Sequence, residues 1–172
     1  STFWCTFKLE RAAPDVASPQ QASGASDVAP PDGHEVIAEL RARHGDARVL
    51  LVDDNAVNRL LVEELLAMAG LRADSVDSGV GAVERVRTQP YDLVLMDVHM
   101  PDMDGLAATR AIRAMPHGGD LPILAMTASV LQDERQACLD AGMNAHLAKP
   151  IDTQQLFQAV HHWLSQRSTR PH

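Results

Sequence analysis

Apolar positions recur along this chain in two rhythms, and from Arg48 onward the rhythms alternate. Apolar runs at Arg48–Val52, Arg72–Val76, Asp92–Met96, Pro122–Ala125 and Ala145–Leu147 are short enough to predict strands. Each is followed by apolar residues at helical spacing, over Val57–Ala69, Val80–Thr88, Leu106–Met115, Leu131–Ala141 and Thr153–Gln166. VLLV and LVLM carry no polar interruption, as strands covered on both faces should not. The last helix has a strong start: Asp152 suits the N-cap, Gln155 stands three residues on, and Ile151 is placed to staple onto Leu156. Gly70 and Gly142 stand where helices end. Five strand-then-helix repeats predict a parallel, doubly wound α/β sheet with helices on both faces.

The first 46 residues follow other rules. In STFWCTFKLE, Phe3, Cys5, Phe7 and Leu9 alternate with Trp4, Thr6 and Lys8, the period of a half-buried strand. Residues 12–33 then turn to Ala, Pro, Ser, Gln, Asp and Gly, including Pro14, Pro19, Pro30 and Pro31, which reads as a linker. Val36, Ile37 and Leu40 fall at helical spacing and predict a short amphipathic helix within that linker, over His34–His44.

Composition narrows the function. With 15 Lys plus Arg against 23 Asp plus Glu, the net charge of −8 argues against a direct nucleic-acid surface. No run approaches the roughly 20 apolar residues of a membrane span, and no signal-peptide pattern opens the sequence. Cys5 and Cys138 make neither a disulfide framework nor a zinc spacing. The expectation is a soluble, acidic, cytoplasmic module. His161 and His162 are adjacent, so on a helix they point about 100° apart and do not share a metal.

In a doubly wound sheet, ligands meet the carboxyl ends of the strands. Asp53, Asp54 and Asn55 follow the first strand, Asp97 the third, Thr127 the fourth, and Lys149 with Pro150 the fifth. Three carboxylates there repel one another unless a cation neutralises them. All-oxygen ligands favour a hard ion, Mg²⁺ above others. Lys149 supplies a second positive charge; the chain has only one other Lys, at position 8. A carboxylate beside such an ion, faced by an ammonium and a hydroxyl, suits holding a phosphoryl group and serving as nucleophile toward it.

Residues 47–166 resemble the receiver domain of two-component response regulators, through VLLVDDN, DLVLMDVHMPDMDG, ILAMTAS and AHLAKPID. The resemblance implies a flavodoxin-like (βα)5 fold with strand order 2-1-3-4-5. It implies phosphorylation of Asp97 by a phosphohistidine of a histidine kinase or a histidine-phosphotransfer domain. Asp54, Asp97 and the carbonyl of His99 would bind Mg²⁺, with Asp53 acting through water. Thr127, Lys149 and the N–H groups of His99 and Ala128 would bind phosphoryl oxygens, and Lys149–Pro150 would be cis. The switch position three before the Lys, often Tyr or Phe in the family, is His146 here. His99 and Ser129, two residues after Asp97 and Thr127, would border the path of hydrolytic water.

STFWCTFKLE in turn resembles the closing strand of a histidine-kinase ATP-binding domain. The expected organisation is a kinase remnant at 1–11, a linker with a short helix at 12–46, a receiver at 47–166 and a tail at 167–172. A C-terminal piece of a hybrid sensor histidine kinase follows, whose parent an inner-membrane anchor would hold. An unpaired apolar strand seeks another edge, so a homodimer through residues 1–10 is a further expectation. Two other classes use parts of the same pattern: a receiver-like interaction module that is not phosphorylated, and a phosphohydrolase with an Asp nucleophile. The phosphohydrolases of the haloacid dehalogenase type want Asp-x-Asp after the first strand, and here the acids are adjacent.

Overall fold

Within each strand, alternate side chains point to opposite faces of the sheet, and this splits the apolar runs between two cores. A computed structural model describes residues 33–128 and 131–168 of the chain. Five parallel strands, β1 (Arg48–Val52), β2 (Arg72–Val76), β3 (Leu93–Asp97), β4 (Ile123–Thr127) and β5 (Ala145–Ala148), lie in the order β2-β1-β3-β4-β5. The helices are α1 (Gly33–His44), α2 (Ala56–Met68), α3 (Gly79–Thr88), α4 (Gly105–Arg113), α5 (Gln132–Ala141) and α6 (Thr153–Ser168). Fold class and strand order are those expected.

Val49 and Leu51 join Leu93, Leu95, Leu124 and Met126 in a core closed by Val62 and Leu66 of α2 and by Leu156, Phe157, Val160 and Leu164 of α6. Leu50 and Val52 join Val94, Met96, Ile123 and Ala125 in the opposite core, against Ala82 of α3, Ala108 and Ile112 of α4, and Cys138 of α5. Burial of each such Leu, Ile, Val or Phe contributes about 1.5–3 kcal/mol, so the central strands are anchored from both sides. The two edge strands differ from the central three: β2 pairs with β1 alone and β5 with β4 alone, and most of their residues are only half buried.

Three strands run further than their apolar runs suggest, β5 as far as Ala148. β3 includes Asp97 and β4 includes Thr127, in register Asp97↔Met126 and Thr127↔Ala148. Both functional candidates are therefore held by the ladder itself, and both are buried. The helix expected within the linker belongs to the body of the domain: Val36 and Leu40 of α1 are buried in the same core as α6. His44 Nε2 lies 3.3 Å from Ser165 Oγ, and Arg41 donates to the carbonyl of Met68. Asp152 caps α6 by accepting from Gln155 N–H at 2.9 Å, and Gly142 ends α5 in the left-handed region at φ 96°. The apolar strand expected at residues 1–10, and with it the expected dimer, lies outside the described residues. No described helix is long and apolar enough to cross a membrane.

Candidate functional site

The carboxyl edge of the sheet gathers its side chains from four strand ends. Asp53 follows β1 and is buried; its backbone N–H donates to Val76 O at 3.2 Å, and its carbonyl accepts from Arg59 Nη1 at 2.7 Å. Its carboxylate accepts from the Asn55 N–H at 2.8 Å and lies 3.4 Å from Asn58 Nδ2. Asn55 in turn caps α2, its side-chain oxygen accepting from Val57 N–H at 2.9 Å. Such a cap is worth about 1 kcal/mol, and here it also fixes where Asp53 points.

Asp97 ends β3. Its Oδ1 accepts from the His99 N–H at 3.1 Å, and its Oδ2 from Lys149 Nζ at 2.6 Å. The same Nζ reaches Asp53 Oδ2 at 2.8 Å, so one ammonium bridges two buried carboxylates. Gly105 permits the close packing behind this arrangement. A Cβ there would sit 2.1 Å from the Asp97 carbonyl oxygen, so α4 reaches the strand end only because its first residue has no side chain. Gly105 N–H donates to Val98 O at 3.0 Å, and Asp104 caps α4 by accepting from Ala107 N–H at 2.7 Å. The Lys149–Pro150 bond is cis, as expected.

Charge at this edge is not balanced. Asp53, Asp54 and Asp97 each offer a carboxylate oxygen, all within 4.8 Å of one another. Asp54 is exposed, whereas the other two are buried. Burial pushes the Asp97 carboxyl above its ordinary value; Lys149 and the His99 N–H pull it back, Asp53 adds to the rise, and the balance is upward. Burial alone would lower Lys149, but its hydrogen bonds to Asp53 and Asp97 outweigh that and hold it above its ordinary value. Three carboxylates against one ammonium suit one more cation, and the all-oxygen donor set suits a hard one.

The expected site residues come together with two qualifications. Thr127 is buried at the end of β4, and its hydroxyl donates to Glu134 Oε2 at 3.3 Å. The imidazole of His99 is largely exposed, and Nε2 lies 2.9 Å from Glu134 Oε1. His146 is half buried on β5, where burial and then the Arg135 charge lower its pKa. Ser129 lies outside the described residues. Glu134, Asn58 and Arg59 were not singled out in the sequence. All three stand in the first turn of the helix after a strand-end motif, and only the helix phase decides which of their neighbours turns inward.

The family model described as response regulator receiver domain matches residues 49–161. The chain belongs to the response regulator receiver domain family. The sensor histidine kinase GacS of Pseudomonas protegens is 42% identical over 162 residues, 92% of this chain and 16% of GacS. The signal transduction histidine-protein kinase BarA of Escherichia coli is 43% identical over 108 residues, 63% of this chain and 12% of BarA. This chain thus spans a small part of the curated relatives it matches. Among solved structures, the receiver domain of sensor histidine kinase PA1611 from Pseudomonas aeruginosa superposes with a TM-score of 0.67 at 42% identity. The match covers 70% of this chain and 98% of that one, and that structure holds a magnesium ion coordinated in its active site cleft. A receiver domain with an acidic cluster fit for magnesium is therefore the finding for this chain.

Proposed function

We propose that Asp97 accepts a phosphoryl group from a phosphohistidine, and that this receiver domain works as a relay within a hybrid sensor histidine kinase. The observation that carries the reading is the Lys149 bridge: a single ammonium 2.6 Å from Asp97 and 2.8 Å from Asp53, beside the exposed carboxylate of Asp54. That constellation holds a nucleophile in place and leaves it short of positive charge.

Asp54, Asp97 and the carbonyl of His99 would hold Mg²⁺ directly, with Asp53 acting through water. Bound there, the ion offsets the negative charge of phosphoryl oxygens. The remaining roles fall to the chain. A carboxylate oxygen of Asp97 attacks phosphorus as the P–N bond of the donor breaks; the electron pair leaves on the imidazole, which takes a proton. Lys149 keeps its charge through the step because its pKa is held up, and it can pass one of its hydrogen bonds to a phosphoryl oxygen. Thr127 and the N–H groups of His99 and Ala128 stand at the strand ends as further donors. The donor is a histidine kinase or a histidine-phosphotransfer domain, and the setting is cytoplasmic. The likeness of STFWCTFKLE to the closing strand of a kinase ATP-binding domain supports reading residues 1–11 as the end of a kinase core.

Incubation with acetyl phosphate and Mg²⁺ followed by intact-mass measurement tests the reading. The wild-type chain is expected to gain one phosphoryl mass, and Asp97→Asn none. Turnover of the donor with no adduct would point to a phosphohydrolase. A chain inert to the donor would be an interaction module, and either result contradicts the proposal.

A further inference from the structure

Glu134 adds a fourth carboxylate to an edge that already carries three, in a chain of net charge −8. It stands on the first turn of α5, yet its side chain is only 19% exposed, because it turns back across the site. One oxygen, Oε1, lies 2.9 Å from His99 Nε2 on the loop after β3. The other, Oε2, accepts from Thr127 Oγ1 at 3.3 Å, at the end of β4. Glu134, His99, Asp54 and Asp104 line one open depression.

We propose that Glu134 is a positioning residue of the unphosphorylated receiver: a carboxylate clasp on Thr127 and His99 that a phosphoryl group on Asp97 must displace. The inference rests on Asp97 being the phosphoryl acceptor. A hydroxyl has one proton to donate. While Thr127 gives it to Glu134, that proton is not available to a phosphoryl oxygen. A phosphoryl group is the stronger acceptor, and it brings further negative charge toward the Glu134 carboxylate. Both effects expel Glu134. Because Glu134 belongs to the first turn of α5, its release unties the start of that helix from β4 and from the loop after β3 together. The clasp therefore slows phosphoryl entry, and its opening transmits the change to α5.

Two variants separate geometry from charge. Glu134→Gln keeps the size and removes the charge; Glu134→Asp keeps the charge on an arm one methylene too short to span both partners. Phosphoryl gain from acetyl phosphate with Mg²⁺, decay of the adduct, and affinity for beryllofluoride are measured on the full chain. Both variants are expected to gain the group several-fold faster than wild type and to bind beryllofluoride more tightly, with decay unchanged because the clasp is already open in the phosphorylated form. In a Thr127→Ala background the advantage of Glu134→Gln should vanish, since the two residues act as a unit. A Glu134→Asp chain that matches wild type would reduce the effect to net charge and overturn the clasp. Equal formation rates in all chains, or slowed decay with unchanged formation, would overturn it as well. Failure of the wild-type chain to take up phosphoryl or beryllofluoride would remove the reading of Asp97 on which the clasp rests, a result distinct from wild-type uptake that ignores Glu134.

Discussion

β1 begins and ends in a charge cluster, and the two clusters are built to opposite rules. At its amino end, Arg48 donates from Nη2 to Asp74 Oδ2 and to Gln89 Oε1, both at 2.6 Å, while its backbone N–H donates to Asp92 at 2.9 Å. Tyr91 O–H donates to the same Asp74 oxygen at 2.9 Å, and the guanidinium lies 5.0 Å from the Tyr91 ring centroid. Asp74, Gln89 and Asp92 each accept from a donor of their own cluster. At its carboxyl end, Asp53 shares one ammonium with Asp97, and Asp54 is left to solvent. The protonation equilibria register the difference. Burial would raise Asp74, but hydrogen bonds from Arg48 and Tyr91 outweigh it and hold that carboxyl below its ordinary value of 3.8. Asp97, with burial dominant, is held above its own. A cluster that serves the fold is satisfied within the chain, whereas one that serves chemistry stays short of a cation.

The largest effect that sharpens this contrast is expected at Lys149. Lys149→Arg preserves charge, but a planar guanidinium cannot replace a point-like ammonium between two carboxylate oxygens. Phosphoryl gain from acetyl phosphate should be lost although circular dichroism shows a folded chain. An arginine variant phosphorylated at the wild-type rate would make the residue a mere turn element. At the other end, Arg48→Met should cost about 1–3 kcal/mol by leaving Asp74 without its charged donor, with phosphoryl gain unchanged. Urea unfolding measures the first and intact mass the second; an equal loss of both would break the comparison.

The smallest effect is a difference in pH slope, measured by unfolding without Mg²⁺. The lowered pKa of Asp74 means stability that is present above 3.8 and lost as pH falls through the folded value. The raised pKa of Asp97 has the opposite sign: its favourable contribution is present below 3.8 and is lost as pH rises through the folded value. Asp97→Asn should therefore raise stability at neutral pH and leave the acid limb in place. Asp74→Asn should flatten the acid limb instead. Identical slopes in the two variants would show that the clusters do not differ as described.

Much of this was legible in the residues. The unbroken runs VLLV and LVLM announced two-sided burial, and Asp53, Asp54, Asp97, Thr127 and Lys149 were placed by strand order alone, because doubly wound topology brings strand ends to one edge. Strand lengths were harder. Asp97 and Thr127 ended the apolar runs, yet both pair in the ladder, since backbone hydrogen bonding does not require an apolar side chain. The residues of α1 fall in with the linker by sequence, because Val36, Ile37 and Leu40 show an amphipathic face but not what it meets; its partner, α6, is more than a hundred residues away in the chain. Glu134 was hidden for a related reason. Its role depends on the angle at which α5 leaves the site, and nothing in QDERQACLDA encodes which acid turns toward His99.

The most direct measurement is the position of the adduct. Wild-type chain treated with acetyl phosphate and Mg²⁺, quenched in acid and fragmented for mass spectrometry, is expected to carry one phosphoryl group on Asp97. An acyl phosphate should also be removed by hydroxylamine. A phosphoryl group resistant to hydroxylamine, or mapped to a serine, a threonine or a histidine, would contradict the assignment of the carboxyl edge as a phosphoryl-accepting site.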